Sequence, residues 1–231
     1  MYPLAILCGG KATRLKNLSK DLPKSLIKFN NIPFLGYQLR LYYELGVKEF
    51  YLCVGHFHEQ ISYFVKHDFK PPSDLKIRLS FDDKKFKGTG GAAKKVSNQI
   101  NGPFFLTYGD SYLRASLIDI QEKYAPGLAP LITIFKNNSL YDASNCKLVN
   151  GKLIYKKNTN DKEFNYIDYG LGVYESSYFK ELGDNFDLSK VQEKFSDFGT
   201  LQYFEESKRF FEIGSFEGIH SFQNYLDNET R

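Results

Sequence analysis

Apolar and polar residues recur with two different periods along the first half of the chain. Short apolar runs predict buried strands, and stretches with an apolar residue every three or four positions predict helices. The predicted strands are 3–7, 49–54, 75–81 and 104–108, and the predicted helices are 33–45, 59–67 and 87–100. In helix 33–45 the apolar stripe consists of Phe34, Tyr37, Leu41 and Leu45. Strands that alternate with helices in this way predict crossover connections and a parallel sheet with helices on both faces.

The second half of the chain predicts a different arrangement, with more strands and fewer helices. Strands are predicted at 128–135, 146–149, 152–155, 166–174, 201–205 and 210–213, and helices at 187–195 and 216–226. Asn150-Gly151 is a two-residue hairpin signal, and Asp187 is a candidate cap for the helix that follows it. The predicted fold class is therefore α/β and Rossmann-like, with a mostly parallel central sheet and a smaller mixed or antiparallel lobe. We expect one domain, 1–231, because no linker or repeat interrupts the chain.

Charge and composition narrow the expected partners. The net charge is only +4 and the lysines are spread along the chain, so we expect no nucleic-acid partner. No apolar run reaches the ~18 residues that suggest a membrane span, and the chain begins without signal-peptide features. Cys8, Cys53 and Cys146 lack metal-ligand spacing, and we expect reduced core thiols in a cytoplasmic protein.

A glycine turn after the first strand is the main candidate for ligand binding. Leu7 ends the strand, Gly9 and Gly10 form the turn, and a basic segment 11–28 follows. Backbone N–H groups of such a turn can surround an anion, and the planar guanidinium of Arg14 matches a phosphate group. A nucleotide phosphate site and a plain glycine turn with a solvated basic face both remain open on these residues. The segment matches neither the Walker loop nor the GxGxxG fingerprint.

Two further candidates follow predicted strands of the first half. His56 comes after strand 49–54, and Gly109-Asp110 comes after strand 104–108. In open sheets of this kind, ligands bind beyond the carboxyl ends of the strands. A carboxylate at the position of Asp110 is suited to holding Mg²⁺ against phosphate oxygens, although an aspartate that caps a turn fits the sequence as well.

The glycine turn and its surroundings resemble a known family signature. The stretch 9–15, GGKATRL, followed by Pro23-Lys24, resembles the signature of the sugar-nucleotide pyrophosphorylases, which are nucleotidyltransferases acting on sugar 1-phosphates. Ala12 departs from the family, which usually has glycine there. Gly88-Thr89-Gly90-Gly91, which opens a predicted helix, is similar to the L-G-T-(A/G)-G segment of that family. A third similarity is 212–217, EIGSFE, which resembles the family's D-x-G-[ST]-x-E segment with Glu212 in place of aspartate.

The resemblance implies a role for particular residues. The implied roles are catalysis for Arg14 and Lys24, nucleotide binding for Leu7, Gly9, Gly10, Lys11, Thr13, Gly88, Thr89 and Gly90, acceptor binding for Lys157, Asp168 and Gly170, and Mg²⁺ binding for Asp110 and Glu212. The Asp168-Tyr169-Gly170-Leu171 stretch stands where the family often has Asn-Ala-Gly-Ile. The resemblance also implies a nucleotide-binding half, 1–115, and an acceptor-binding half, 116–231.

The implied reaction transfers a nucleoside monophosphate from a nucleoside triphosphate to a sugar 1-phosphate and releases pyrophosphate. The overall pattern looks most like mannose- or heptose-1-phosphate guanylyltransferases, which implies GTP as a substrate and a role in nucleotide-sugar supply for capsule or cell-envelope polysaccharide. One alternative is a cytidylyltransferase acting on a phosphocholine-like or other non-sugar phosphate, which Asp168 favours.

Two alternatives of other classes also remain. A non-catalytic nucleotide-binding scaffold on the same fold is favoured by the departures at Ala12 and Glu212. A glycosyltransferase ranks lower, because Asp110-Ser111-Tyr112 lacks the second aspartate of a D-x-D metal motif. The helix 59–67 is a candidate surface for a homodimer.

Overall fold

The computed structural model describes residues 1–10, 22–82 and 88–229. Within them the strands are β1 (Leu4–Leu7), β2 (Lys28–Phe29), β3 (Ile32–Pro33), β4 (Glu49–Val54), β5 (Lys76–Phe81), β6 (Phe104–Tyr108), β7 (Ser111–Tyr112), β8 (Leu131–Lys136), β9 (Cys146–Val149), β10 (Lys152–Tyr155), β11 (Tyr166–Tyr174), β12 (Gln202–Glu206) and β13 (Phe211–Glu212). The helices are α1 (Phe34–Glu44), α2 (His58–Tyr63), α3 (Gly88–Ser97), α4 (Leu117–Lys123), α5 (Ser189–Asp197) and α6 (Phe216–Glu229). A π-helical turn, Phe64–Asp68, continues α2, and 3₁₀ turns lie at Lys24–Leu26 and Ser176–Phe179.

Nine of the described strands form one sheet. Its main path runs β10-β9-β11-β6-β1-β4-β5, and β8 pairs with β11 and carries β12. The four strands β6, β1, β4 and β5 are mutually parallel, whereas β11 runs antiparallel to β6, β8 and β9. The predicted α/β class with its parallel first half is therefore confirmed. Strands of the second half are mixed in direction, as predicted, and they extend this same sheet.

The central strand β1 shows how both faces of the sheet are buried. Leu4 and Ile6 pack in a cluster with residues of α1, such as Leu39. Ala5 and Leu7 point to the opposite face, into a cluster that includes Val96 of α3 and Val191 of α5. Helices on both faces explain why β1 is apolar at every position, since neither face of the strand meets water.

A third, smaller cluster positions the end of the chain against the first half. Phe222 of α6 packs in it with Phe29, Phe34, Phe211 and Ile213. The rings of Phe222 and Phe29 meet edge-on with centroids 4.9 Å apart. This packing fixes α6 and β13 beside α1 and the β2–β3 hairpin.

The predicted apolar stripe of α1 is wrong in register. The fully buried face carries Phe34, Leu35, Gln38, Leu39 and Tyr42, whereas Tyr37, Leu41 and Leu45 of the predicted stripe are only partly buried. Phe34 alone belongs to both sets. The error arose because a glutamine counts as polar in a periodicity analysis, yet here its amide has buried partners that permit burial.

Other predicted elements agree closely with the structure. Strands 49–54, 104–108, 146–149, 152–155 and 166–174 have the predicted bounds, and α4 was not predicted. The N-cap residue of α5 is Leu188 and not Asp187 as predicted, although the side chain of Asp187 accepts a hydrogen bond from the N–H of Ser189, the first residue of the helix, at 3.1 Å. All three cysteines are buried and free, as predicted. Among the described helices, none combines the length and apolarity needed to cross a membrane.

Candidate active site

The carboxyl ends of the parallel strands meet at one edge of the sheet. Gly9, just after β1, lies so close to the loop after β4 that a Cβ on it would be 3.3 Å from the N of Gly55. The same Cβ would be 3.1 Å from the Oδ2 of Asp82, which follows β5. Such close packing explains a glycine at position 9 without any ligand. It also brings the strand ends together as the sequence predicted, with Leu7 on β1 directly beneath.

The glycine turn itself is only partly described. Gly10 is exposed, and a Cβ on it would meet nothing within 4 Å. Lys11, Thr13 and Arg14 lie outside the described residues. Their predicted roles in phosphate binding therefore stay predictions. His56, the other residue noted at a strand end, is exposed and contacts the ring of Phe57.

Asp110 is presented by a tight turn between β6 and β7. The N–H of Gly109 donates to the carbonyl of Leu7 at 3.0 Å, which ties this turn to the end of β1. The buried amide of Gln38 donates from Nε2 to the carbonyl of Tyr108 at 2.9 Å and to that of Ser111 at 2.7 Å. Because the two carbonyls bracket Asp110, Gln38 fixes the turn that carries this carboxylate.

Lys24 and Asp110 form an ion pair at this edge of the sheet. Lys24 begins the 3₁₀ turn after Pro23, and its Nζ lies 3.1 Å from Oδ2 of Asp110. Both side chains are mostly shielded, with 20% and 32% of their surface exposed. Gly214 lies beside the pair, since a Cβ on it would be 3.6 Å from the Nζ and 3.8 Å from the Oδ2. The predicted catalytic lysine and the first predicted metal ligand are thus in direct contact.

Glu212 is brought to Asp110 by a short antiparallel strand pair. In the pairing of β13 with β7, Glu212 lies opposite Ser111, and the N–H of Ile213 donates to the carbonyl of Asp110 at 2.9 Å. The side chain of Glu212 is exposed to solvent, but it lines a concave surface where protein atoms replace part of its hydration. That loss of hydration, followed by the negative charges of Asp110 and Asp142, raises the pKa of Glu212 to about 7, against the opposing charge of Lys24.

Two neighbouring carboxylates fit a Mg²⁺ site of the kind in which substrate supplies the other ligands. Mg²⁺ is commonly held by one or two carboxylates together with waters and substrate phosphates. The raised pKa of Glu212 beside Asp110 marks a place where a cation would be stabilised. Within residues 1–10, 22–82 and 88–229, no group of three or more His, Cys, Asp and Glu could hold a metal ion by itself. Asp110 and Glu212 therefore suit a metal that arrives with phosphates.

Glu212 lines a cavity of about 200 Å³. Asp142 lines it as well, and the guanidinium of Arg209 lies over the rings of Tyr141 and Phe211, 4.4 and 4.9 Å from their centroids. This cavity therefore offers aromatic walls and charges of both signs.

The glycine segment that opens α3 packs against the protein's own chain. A Cβ on Gly90 would be 2.2 Å from the ring of Phe186, and one on Gly88 would be 2.4 Å from its carbonyl oxygen. The same carbonyl accepts the N–H of Gly90 at 3.0 Å and that of Gly91 at 3.3 Å. The Oγ1 of Thr89 accepts the N–H of Leu188 at 2.9 Å. The small residues therefore let the Phe186 ring pack closely on the start of α3, and their predicted role in nucleotide binding stays a prediction.

Asp168, a predicted acceptor-binding residue, is held on β11 by several hydrogen bonds. Its Oδ1 accepts the N–H of Gly170 at 3.0 Å, and its Oδ2 accepts the Nε2 of Gln192 at 2.8 Å. Burial raises the pKa of Asp168 to about 6 despite these two hydrogen bonds, which lower it. Gly170 has φ +84°, and its Cβ position would be 3.4 Å from the ring of Tyr108. A β-bulge between 168 and 172 bends the strand here. Asp168 and Gly170 therefore lie at the same bend of β11.

Lys157 lies just beyond β10 and reaches the start of α5. Its Nζ contacts Oδ2 of Asp187 at 2.5 Å, and its backbone N–H donates to Oε1 of Glu193 at 3.1 Å. The side chains of Lys157 and Asp187 are about half exposed. Helix α5 therefore contacts two of the three predicted acceptor-binding residues, through Glu193 to Lys157 and through Gln192 to Asp168.

Sequence reasoning missed the two glutamines that fix the predicted carboxylates. Gln38 and Gln192 are 0% and 2% exposed, and each donates to atoms of the candidate site. A glutamine within the apolar face of a predicted helix was the available signal. In α1, the neighbours Leu35 and Leu39 flank Gln38 on that face.

The fold and the charges at its edge place the chain among the α/β proteins whose parallel sheet ends in a ligand site. A family model described as "MobA-like NTP transferase domain" matches residues 4–120, which is 117 of 231 residues. The chain therefore belongs to the MobA-like NTP transferase domain family.

Two curated relatives are sugar-phosphate nucleotidyltransferases by name. The D-glycero-alpha-D-manno-heptose 1-phosphate guanylyltransferase of Campylobacter jejuni is 35% identical over 112 residues, which cover 48% of this chain and 49% of that protein. The "Probable glucose-1-phosphate cytidylyltransferase" of Bacillus subtilis is 27% identical over 217 residues, 80% of this chain and 85% of that protein. The match to the Campylobacter protein thus spans only about half of its length.

A solved structure has the same fold along nearly the whole chain. HddC from Yersinia pseudotuberculosis superposes with a TM-score of 0.77, covering 98% of this chain and 100% of that one, at 22% identity. The resemblance read from the sequence is confirmed at the level of family and fold.

Proposed function

We propose that this chain is a nucleotidyltransferase that transfers a nucleoside monophosphate from a nucleoside triphosphate to a sugar 1-phosphate and releases pyrophosphate. The observation that carries the proposal is the contact of Lys24 with Asp110, with Glu212 brought alongside by the β7–β13 pair. This group lies at the edge where the glycine turn after β1 also ends. GTP and a mannose or heptose 1-phosphate are the proposed substrates, and the Campylobacter relative's name supports that choice.

The reaction requires that an oxygen of the acceptor phosphate attacks the α-phosphorus in line. The bond from the α-phosphorus to the bridging oxygen breaks, and pyrophosphate leaves with the electron pair. Chemistry of this kind depends on positioning and charge neutralisation more than on a strong base. Lys24 would therefore stabilise the α-phosphate or the attacking phosphate, and Arg14, outside the described residues, would hold the pyrophosphate.

Asp110 and Glu212 would hold Mg²⁺, which neutralises phosphate charge when bound. The raised pKa of Glu212, to which the charge of Asp110 contributes, supports this assignment because two close carboxylates favour a cation between them. Lys11 and Thr13 remain proposed nucleotide-binding residues together with the glycine turn. Gly88, Thr89 and Gly90 would place their backbone next to the nucleotide base. Phe186, which packs on Gly88 and Gly90, would hold that backbone in position.

The acceptor would lie toward β11 and the end of β10. Lys157 would bind its phosphate group, while Asp168 would accept hydrogen bonds from its hydroxyl groups and Gly170 would let it approach the backbone. Asp168 is held by Gly170 and Gln192, which supports a fixed role for its carboxylate.

A second candidate is a cytidylyltransferase that acts on a phosphocholine-like or other non-sugar phosphate. The observation in its favour is the carboxylate of Asp168, half-buried at the acceptor side and suited to a cationic group. The aromatic rings of Tyr141 and Phe211 near Glu212 would also suit such a group, although Arg209 covers both. A non-catalytic nucleotide-binding scaffold is the third candidate. It differs from the first two in that it would bind nucleotide without releasing pyrophosphate.

The test is pyrophosphate release with Mg²⁺ for each of GTP, CTP, UTP, ATP and dTTP. Each nucleotide is paired with mannose, glucose and heptose 1-phosphates and with phosphocholine. We expect release with GTP and a mannose or heptose 1-phosphate. Release only with CTP and phosphocholine would replace the first candidate by the second, and silence with nucleotide binding intact would favour the scaffold.

The cellular location, the pathway and the oligomeric state of the enzyme are proposed as well. We propose a cytoplasmic enzyme that supplies nucleotide sugar for capsule or cell-envelope polysaccharide, and the three buried, free cysteines support a reducing compartment. A homodimer through the exposed side of 59–67, which includes Tyr63, is testable by light scattering, with a monomeric mass as the contradicting result.

A further inference from the structure

One short segment, Phe186–Leu188, contacts both proposed substrate sites. At its ends, Phe186 and Leu188 contact the first turn of α3 at Gly90 and Thr89, on the proposed nucleotide side. Between them, Asp187 contacts Lys157 on the proposed acceptor side at 2.5 Å. The segment is therefore the direct physical connection between the two groups of residues.

Lys157 is fixed at both ends before any ligand is bound. Its backbone N–H is held by Glu193, and its ammonium is held by Asp187. Asp187 is itself fixed, since its other carboxylate oxygen accepts the N–H of Ser189. An ammonium has three N–H donors and Asp187 occupies one of them, so donors remain for a phosphate group.

We propose that Asp187 is a positioning residue: it holds the Nζ of Lys157 in place for the phosphate group of the acceptor, and its neighbours tie that position to the first turn of α3. The proposal rests on the proposed function and deepens it, because it assigns the phosphate monoester of the acceptor to a preformed lysine. Binding of the acceptor then requires no search by a long, flexible side chain.

The variant Asp187→Asn separates this role from the hydrogen bond to the start of α5. Asparagine keeps a side-chain oxygen that accepts the Ser189 N–H. It removes the charge that attracts the Lys157 ammonium. A residue that only holds the start of α5 would therefore tolerate the substitution.

The kinetic test compares wild type, Asp187→Asn and Asp184→Asn by pyrophosphate release with GTP and mannose 1-phosphate. Asp184 is the matched control, because it pairs with Lys94 of α3 in the same stretch of chain and not with Lys157. We expect Asp187→Asn to raise the acceptor KM about fivefold, the upper range for a half-exposed ion pair, with kcat and the GTP KM unchanged. In a Lys157→Ala background the same substitution should add nothing.

An unchanged acceptor KM in Asp187→Asn would overturn the proposal. A lower acceptor KM would also overturn it, since the carboxylate would then compete with the acceptor phosphate for Lys157. An equal further loss in the Lys157→Ala background would mean that Asp187 acts independently of this lysine.

Amine labelling distinguishes failure of this inference from failure of the proposed function. Acylation by sulfosuccinimidyl acetate, followed by peptide mass spectrometry, should be slower at Lys157 than at its neighbour Lys156. Asp187→Asn should remove the difference and Asp184→Asn should not. Equal labelling in wild type overturns the inference whether or not the protein releases pyrophosphate, whereas protected Lys157 without any turnover counts against the proposed function alone.

Discussion

The Nζ of Lys24 lies 3.1 Å from the Oδ2 of Asp110, although 86 positions separate the two residues in the chain. A turn after Pro23 delivers the lysine, and the turn after β6 delivers the carboxylate. The pair occupies the edge of the sheet where four parallel strands end. Its location makes it the centre of the proposed phosphate chemistry, so the first prediction concerns it.

Asp110→Asn should lower turnover by about 10²-fold or more, because it removes a charge that would hold Mg²⁺ against the phosphates. Arg14→Ala should lower turnover by a similar factor. The measurement is kcat for pyrophosphate release at saturating substrates. Asp119→Asn, an exposed carboxylate on α4, is the control and should keep normal kcat. Near-normal turnover of Asp110→Asn would remove this residue from the proposed site.

Gln38→Leu should destabilise the protein and impair catalysis together. It leaves the carbonyls of Tyr108 and Ser111 without their donor, which costs about 2–4 kcal/mol of unfolding free energy. The loosened turn should also lower kcat, because Asp110 lies between those two carbonyls. Urea unfolding and pyrophosphate release measure the two effects. Gln223 is half-buried and its side-chain hydrogen bonds are solvent-exposed, so Gln223→Leu should change stability by less than about 0.5 kcal/mol. An equal loss in both variants would contradict the role of Gln38.

Gly90→Ala should destabilise the protein although alanine favours helices. Its Cβ would lie 2.2 Å from the ring of Phe186, and such overpacking costs about 1–3 kcal/mol. Gly183→Ala, where a Cβ meets nothing within 4 Å, is the matched control. If the ring causes the loss, the cost of Gly90→Ala should shrink in a Phe186→Ala background. A cost that persists there would mean that Gly90 is needed for another reason.

Asp168→Asn should remove a pH-dependent cost of about 1–2 kcal/mol that the wild-type protein carries at neutral pH, alongside a pH-independent loss because asparagine keeps only one of the two accepting oxygens. Burial raises the pKa of Asp168 from 3.8 to about 6, so the folded state binds this proton more tightly than the unfolded state. The cost of ionising it is therefore complete above about pH 6 and absent below 3.8. Chemical denaturation from pH 3.5 to 8 should show the difference between the two proteins changing in favour of Asp168→Asn as the pH rises through this window. A constant difference would contradict the raised pKa.

The same substitution should weaken acceptor binding, since an amide cannot replace both accepting oxygens of the carboxylate. A buried carboxylate that costs stability at neutral pH is typical of residues kept for binding. An unchanged acceptor KM in Asp168→Asn would remove this residue from the acceptor site.

The hydrophobic pattern was sufficient to predict the fold class and most element bounds. Buried strands such as β4 and β6 are continuous apolar runs, and the hairpin at Asn150-Gly151 has its own turn signal. Convergence of the strand ends could also be predicted, because parallel strands finish at one edge. The pairing of Lys24 with Asp110 was not predictable as a contact, since it depends on where two distant turns lie in space.

Buried polar residues account for the contacts that the hydrophobic pattern could not predict. Gln38 and Gln192 look like surface residues until their hydrogen-bond partners are known, and the error in the α1 stripe follows from the first of them. The contact of Phe186 with the Gly88–Gly91 stretch is likewise invisible in sequence, because small residues suit a ligand and a packed side chain equally. The effect of Ala12 on the glycine turn and the phosphate-binding roles of Lys11, Thr13 and Arg14 stay predictions, because these residues lie outside the described part of the chain.

The most direct test of nucleotidyl transfer is ³¹P NMR of the wild-type protein with GTP, Mg²⁺ and mannose 1-phosphate. The proposed reaction predicts loss of the GTP and sugar-phosphate signals. A diphosphate diester and pyrophosphate should appear in equal amounts, because each transfer forms one of each. Orthophosphate or GDP without a diester would show hydrolysis instead of transfer. Unchanged spectra for every nucleotide and acceptor of the panel would contradict the proposed activity.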